Sequence, residues 1–383
     1  MTHSNWSVPE TEVLRTVHKQ LEANQPAALA TIVDVEGNAY RRPGAKMLLT
    51  PDGKGVGSIT AGCLEDDLLR VGRAVREEGR PRIETYDLME DEDDVWGLGV
   101  GCNGVIEVLL EPLVESYRPA VEAFADGRDI ASLTVLESDL ARLKRGDRAY
   151  FRPGWGGFEH ETGEYPAWLT DAMADPATEL ARRGRADTLT TERPGGRVRI
   201  FVDGIAAPTD LYIFGSGHDV GPVTELAALN DLRVTVIGFR SGVDLDERFP
   251  SAARTVTTSP GSLRETLDLD DQSHAIVMSH NFVDDRLAID ELLGSPAPYV
   301  GLMGPRDRFE EMIAVFESEG RTFDDEERDR LYTPVGIDLG GGSPYQIAHS
   351  IVGEVLAVSN GRRPGHLKTR EGPIHDRPDI SAE

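Results

Sequence analysis

The chain has 383 residues, enough for two or three domains and a sizeable hydrophobic core. Its 67 acidic against 40 basic side chains leave a net charge of −27, which repels nucleic-acid phosphates and anionic membrane surfaces and so argues against both as partners. Such an acid excess keeps a protein hydrated in concentrated salt, and the expectation is a halophilic source.

In chain order, Ser7-Val8-Pro9-Glu10 has the spacing of a capping box. Val13, Leu14, Val17 and Leu21 then recur at helical spacing, which predicts a helix that ends before Pro26. Residues 28–35, 45–49 and 55–59 read as strands, with turns at Glu36-Gly37-Asn38 and Pro51-Asp52-Gly53. Leu64, Leu68, Val71 and Val75 form one apolar stripe, so 64–78 reads as a helix. A strand over 82–87, an acidic loop at 90–94 and a strand over 105–110 follow. Residues 114–207 carry weaker signals: strands at 133–136, 148–151 and 198–202 and a turn at 155–158, read as a β-rich extension or insert. From Asp210 strands alternate with helices: 211–214, a helix through Val223 and Leu226, 233–239, 275–279, a helix through Ile289 and Leu292, 299–303, and a helix over 308–319. A last helix over 344–359 is entered through Gly340-Gly341-Gly342-Ser343. Alternation of this kind builds a doubly wound parallel sheet. The expected class is therefore α/β, an N-terminal α+β domain followed by a Rossmann-like sheet. The expected divisions are 1–113, 114–207, 208–360 and a mobile tail over 361–383.

Three segments carry the chemistry. In Gly57-Ser58-Ile59-Thr60-Ala61-Gly62-Cys63-Leu64-Glu65 a strand runs into small residues, a thiol and a helix start. The other cysteine, Cys102, lies in Gly97-Leu98-Gly99-Val100-Gly101-Cys102-Asn103-Gly104. Two cysteines cannot form a disulfide framework or a CxxC metal site. Both sit among glycines, which let a backbone approach a ligand closely, and the two segments are expected to wall one site. A helix N-terminus favours the Cys63 thiolate, while Glu65, Asp66 and Asp67 oppose it. The alternative for each cysteine is an inert small residue facing a glycine wall.

The third segment is Gly215-Ser216-Gly217-His218-Asp219-Val220-Gly221-Pro222, a glycine turn between strand and helix that suits a phosphate. It departs from the dinucleotide fingerprint: Val220 holds the place of the third glycine, and Gly238 the place of the ribose-binding acid. NAD(P) is thereby disfavoured, although Arg240 would suit a 2′-phosphate. His280, at the end of what reads as the third parallel strand, and Arg306, after the next, complete the candidates, each against a bland role in bracing a loop or starting a helix.

These segments resemble the XdhC/CoxI family of xanthine dehydrogenase accessory proteins. The resemblance runs through Pro43-Gly44-Ala45-Lys46-Met47, residues 57–65, residues 97–104 with the strand to Glu111-Pro112, residues 214–222, Ser279-His280-Asn281, residues 299–306, and Pro334-Val335-Gly336-Ile337-Asp338 with Ser343-Pro344-Tyr345-Gln346-Ile347-Ala348. Ala61, Asn103, Gly238, Pro305 and Gln346 depart from the usual family residues. The resemblance implies a cytoplasmic chaperone without turnover of its own, which binds molybdenum cofactor (molybdopterin), protects it while its terminal sulfur is installed, and delivers it to an apo molybdenum hydroxylase. A cysteine desulfurase as second partner and self-association into a dimer go with that role. Carried onto this chain, the cofactor-binding set is Gly57, Ser58, Gly62, Cys63, Glu65, Gly99, Gly101, Cys102, Gly104, Gly215, Gly217, His218, Asp219, Arg240, His280 and Arg306, with Cys63 and Cys102 as contacts to molybdenum. The competing readings are an NAD(P)-dependent oxidoreductase of unknown substrate and a purely structural adaptor.

Overall fold

The computed structural model describes residues 5–37, 39–88, 104–154, 157–193 and 196–369. The chain divides into two compact units, one within residues 1–207 and one within 208–370.

In the first unit α1 (Glu10–Glu22) precedes β1 (Ala28–Gly37), β2 (Lys46–Leu49) and β3 (Gly55–Gly57), then α2 (Glu65–Glu78), β4 (Arg82–Asp87) and β5 (Gly104–Pro112). The strands make an antiparallel sheet in the order β3-β2-β1-β5-β4. Alternation along the strands gives each helix its own face. α1 buries Val13, Val17 and Leu21 against Leu29 and Leu48, while α2 buries Leu68, Val71 and Val75 against Ala30, Ile32, Met47 and Val108. The capping box expected from Ser7 does not form. Pro9 is the N-cap, and its carbonyl accepts from Glu12. A residue before proline is held extended, and here the segment stays extended from Asn5, which exchanges backbone hydrogen bonds with Gly55 and Gly57.

A second antiparallel sheet follows in the same unit. α3 (Arg118–Ala125), β6 (Ile130–Ser138), β7 (Arg148–Phe151), β8 (Phe158–His160), α4 (Ala167–Arg183), β9 (Ala186–Arg193) and β10 (Gly196–Ile205) contribute to it, with strand order β8-β7-β6-β10-β9. The region expected to be β-rich thus also holds the 17-residue α4, whose Leu169, Met173, Ala177 and Leu180 cover the sheet. Pro176, inside α4, masks it in the sequence. Charged pairs tie the two sheets. Arg148 on β7 reaches Glu111 on β5 at 2.8 Å, and Lys46 on β2 reaches Asp203 on β10 at 2.8 Å. Arg199 on β10 pairs with Asp34 at 3.0 Å and with Glu107.

The second unit contains β11 (Asp210–Phe214), α5 (Val220–Leu229), β12 (Arg233–Gly238), α6 (Leu245–Arg248), β13 (Arg254–Thr257), α7 (Leu263–Thr266), β14 (Ser273–Val277), α8 (Phe282–Leu293), β15 (Tyr299–Leu302), α9 (Arg306–Ser318), α10 (Asp325–Asp329), β16 (Leu331–Tyr332) and α11 (Pro344–Ser359). All its strands run parallel, in the order β13-β12-β11-β14-β15-β16. In chain order this is 3-2-1-4-5-6, the doubly wound arrangement with a switch point between its first and fourth strands. α5 and α11 cover one face and α8 and α9 the other. His280 therefore follows the fourth strand, not the third. β13 intervenes, a short edge strand of Arg-Thr-Val-Thr that gives little periodic signal. Among the described residues no helix is long and apolar enough to cross a membrane.

Candidate functional site

In the first unit the turn between β3 and α2 is built around a buried carboxylate. Glu65 is fully buried and opens α2. Its Oε1 accepts from the Thr60 backbone N–H at 2.7 Å, and its Oε2 accepts from the Thr60 hydroxyl at 2.6 Å and the Leu64 N–H at 3.1 Å. Thr60 Oγ1 in turn accepts from the N–H groups of Cys63 at 3.1 Å and Leu64 at 3.2 Å. The helix N-terminus adds a favourable field for the buried charge. The result is a rigid turn that presents Cys63, half-buried and in no disulfide, just ahead of α2. Gly62 takes φ +115°, and a Cβ there would find only the Trp6 ring, 4.0 Å away. Gly57 is required by the chain itself, since a Cβ would lie 2.6 Å from the Lys46 carbonyl oxygen and 2.7 Å from Val13. Ser58, beside it, is half-buried. Gly104 is buried at the start of β5, paired with Gly37. Gly99, Gly101, Cys102 and the acidic run at 90–94 lie outside the described residues.

In the second unit the candidates gather at the switch point. A Cβ on Gly215 would lie 2.6 Å from the Met278 carbonyl oxygen, so glycine there lets the ends of β11 and β14 close up. His280 adopts φ +60°, a strained conformation for a non-glycine residue, and its Nε2 lies 2.7 Å from Asp219 Oδ2. Gly217 lies under this pair: its Cβ would meet Asp219 Oδ1 at 2.4 Å and His280 Cδ2 at 3.9 Å. Asn281 caps α8, its side chain accepting from the Val283 and Asp284 N–H groups. His218 and Arg306 are exposed, Arg306 at the first position of α9. Arg240 is largely exposed and sits 3.3 Å from Asp284.

The structure adds residues that no sequence motif marks. Asp285 is fully buried beside Ser279 and pairs with Arg308. Burial raises its pKa, and the hydrogen bonds from Ser279 and the charge of Arg308 oppose that rise. Trp6 packs beside Gly55 and Gly62 with its indole N–H buried and without a hydrogen-bond partner among the described residues. Its aromatic ring near a glycine turn was the available signal. Gly238 is also explained: a Cβ would already lie 3.1 Å from Leu245, leaving little room for the ribose-binding acid expected in a dinucleotide site. Among the described residues no group of three or more His, Cys, Asp or Glu could hold a metal ion.

Two family models match the chain, one described as the XdhC and CoxI family over residues 20–87 and one as the XdhC Rossmann domain over residues 211–355. A protein of Bacillus subtilis strain 168, named as a probable xanthine dehydrogenase subunit, is 28% identical over 340 residues, which span 88% of this chain and 94% of that one. The uncharacterised protein YqeB of Escherichia coli K12 is 28% identical over 197 residues, 51% of this chain but 35% of its own length. A crystal structure of a protein from Bacillus halodurans described as a xanthine dehydrogenase superposes with a TM-score of 0.72 at 28% identity, covering 93% of this chain and 97% of that one. With both family domains in order along one polypeptide, the chain belongs to the XdhC and CoxI family.

Proposed function

We propose that the protein is accessory to a molybdenum hydroxylase of the xanthine dehydrogenase type, binding molybdenum cofactor, sheltering it and delivering it to the apo-enzyme. Family membership and the name of the Bacillus subtilis relative support the accessory role. The observation that carries the cofactor reading is the Cys63 turn, where a fully buried carboxylate is spent on holding a half-buried thiol at a helix start.

The residues fit the group. Molybdenum cofactor carries an anionic phosphate, a flat pterin and a soft metal–sulfur end. A thiol suits the soft end, and the open space at Gly62 beside the Trp6 ring suits a flat body. Cys63, with Cys102, would hold the metal–sulfur end, while Thr60 and Glu65 fix the thiol's position. When bound, the cofactor supplies the molybdenum centre on which the hydroxylase depends. The delivery role brings with it a cysteine desulfurase as sulfur donor, self-association of the chaperone, and a cytoplasmic setting. Gly238 packed on Leu245, and Arg240 turned towards Asp284, favour this reading over nicotinamide-dependent chemistry.

The test is a transfer assay. Cofactor-loaded protein is mixed with apo-hydroxylase, and the return of hydroxylase activity is compared with that from the same amount of free cofactor. Faster return from the loaded protein is expected. Return no faster than from free cofactor, together with micromolar binding of NADH or NADPH, would favour the oxidoreductase reading instead.

A further inference from the structure

Cationic side chains gather at the start of α1. Tyr40-Arg41-Arg42-Pro43-Gly44-Ala45-Lys46 puts three cations into seven residues of a chain whose net charge is −27. Arg41 pairs with Glu10, the first residue of α1. Lys46 Nζ lies 2.8 Å from Asp203 and 2.8 Å from the Gly44 carbonyl oxygen. The Arg42 guanidinium is partly buried, yet among the described residues it makes no hydrogen bond or ion pair. Burial lowers its pKa, Glu10 pulls it back up and Arg41 lowers it further. An arginine does not shed its proton to escape such a place, and a desolvated charge without a counter-charge is costly. Some anion is called for.

A cavity of about 30 Å³ opens at the same spot, lined by Val8, Glu10, Val13, Arg41, Lys46 and Ser58 among others. That enclosed space admits one oxygen-sized group. The Ser58 hydroxyl, on its wall, has no partner among the described residues. The N-cap of α1 is Pro9, which offers no side chain to the N–H groups of the first turn. Glu10 is the acid that lines the cavity, pairs with Arg41 and reaches Arg42 with its charge, and its side chain remains 52% exposed, free to swing out.

We propose that Arg41, Arg42, Lys46 and Ser58 form a phosphate subsite in which a phosphate monoester or pyrophosphate displaces Glu10, one oxygen entering the cavity and the remainder held at its mouth by the guanidinium groups. Glu10 acts as an internal placeholder for the anion. Identifying the bearer of that phosphate as the pterin cofactor rests on the proposed function; the anion site itself does not.

The experiment is calorimetric titration of the full chain with inorganic pyrophosphate, alongside pterin fluorescence of the same preparations. Wild type binds pyrophosphate. Arg42→Gln weakens the binding by about tenfold or more, the worth of one charge-assisted hydrogen bond. Glu10→Gln strengthens it, because the competing carboxylate is gone. Circular dichroism of each variant checks folding, and Arg42→Lys, which keeps the charge but loses the fork, falls between wild type and Arg42→Gln. Absence of pyrophosphate binding by wild type, or equal binding by wild type, Arg42→Gln and Glu10→Gln, would overturn the subsite. Intact pyrophosphate binding by a protein that never carries pterin would sink the cofactor reading and keep the subsite. Full pterin retention by Arg42→Gln would do the reverse.

Discussion

Glu65 can be read as a ligand contact from its place beside Cys63, yet both of its oxygens are engaged inside the turn, by Thr60 and Leu64. A direct contact to a ligand would mean giving up those bonds. Glu65→Ala leaves buried N–H groups without an acceptor, and the expected loss is about 2–3 kcal/mol of stability, read as a lower urea midpoint. Glu65→Gln, which keeps an acceptor oxygen, should lose less; equal losses would mean that the charge at the start of α2 contributes nothing. His274 makes a second test at this scale. It is 5% exposed on β14, its Nδ1 lies 3.1 Å from the Gln272 carbonyl oxygen, and its ring packs on Tyr299. Burial holds its pKa below 6.5. The unfolded chain therefore takes up the proton first, so stability is complete above about pH 6.5 and falls as the pH drops towards the folded pKa. Thermal melts between pH 7.5 and 5 should show that fall, and His274→Gln should flatten it; an unchanged slope in the variant would remove His274 as its cause. Motif residues such as Cys63, Gly215 and His280 are visible in the sequence because glycine spacing and strand ends mark them. Trp6, Arg42 and Asp285 are not, because their importance lies in what surrounds them.

At the scale of elements, the strands of the second unit were legible wherever a continuous apolar run sits between glycine turns, as at β11, β12 and β15. The short polar β13 and the two-residue β16 carry too little periodicity to be read. In the first unit α4 was hidden by Pro176, and the pairing of β1 with β5 joins residues some 70 positions apart, information that a single sequence does not hold. The ion pairs between the two sheets of that unit belong to the same class. Arg148 donates to both oxygens of Glu111, at 2.8 and 2.9 Å, bonds Thr134 and lies over the Tyr117 ring at 4.9 Å. Arg148→Ala strands a buried carboxylate and should cost roughly 3–5 kcal/mol. Arg148→Met with Glu111→Gln removes both charges and should recover much of that loss in denaturant titrations. A double variant no more stable than the single one would show that the cost lies in packing over Tyr117 and not in the stranded charge.

For the whole molecule, the net charge of −27 makes self-repulsion a term in stability, since unlike charges are too few to neutralise it. Added salt screens that repulsion, so the melting temperature should climb as KCl is raised from 0.1 to 2 M, the behaviour expected of a protein from a saline cell interior. A flat or falling curve would contradict the halophilic expectation. The same acidity makes an anionic ligand depend on local donors, which is why the few partly buried cations and helix starts bear on function more than the overall field does. The central claim, that this chain carries molybdenum cofactor with the help of Cys63, is tested most directly by purifying it from a molybdenum-replete host and measuring released pterin per chain by fluorescence, beside Cys63→Ala prepared identically. The account predicts pterin approaching one per chain in wild type and a marked loss in the variant, with the fold intact by circular dichroism; no pterin in wild type, or equal pterin in both, would contradict it.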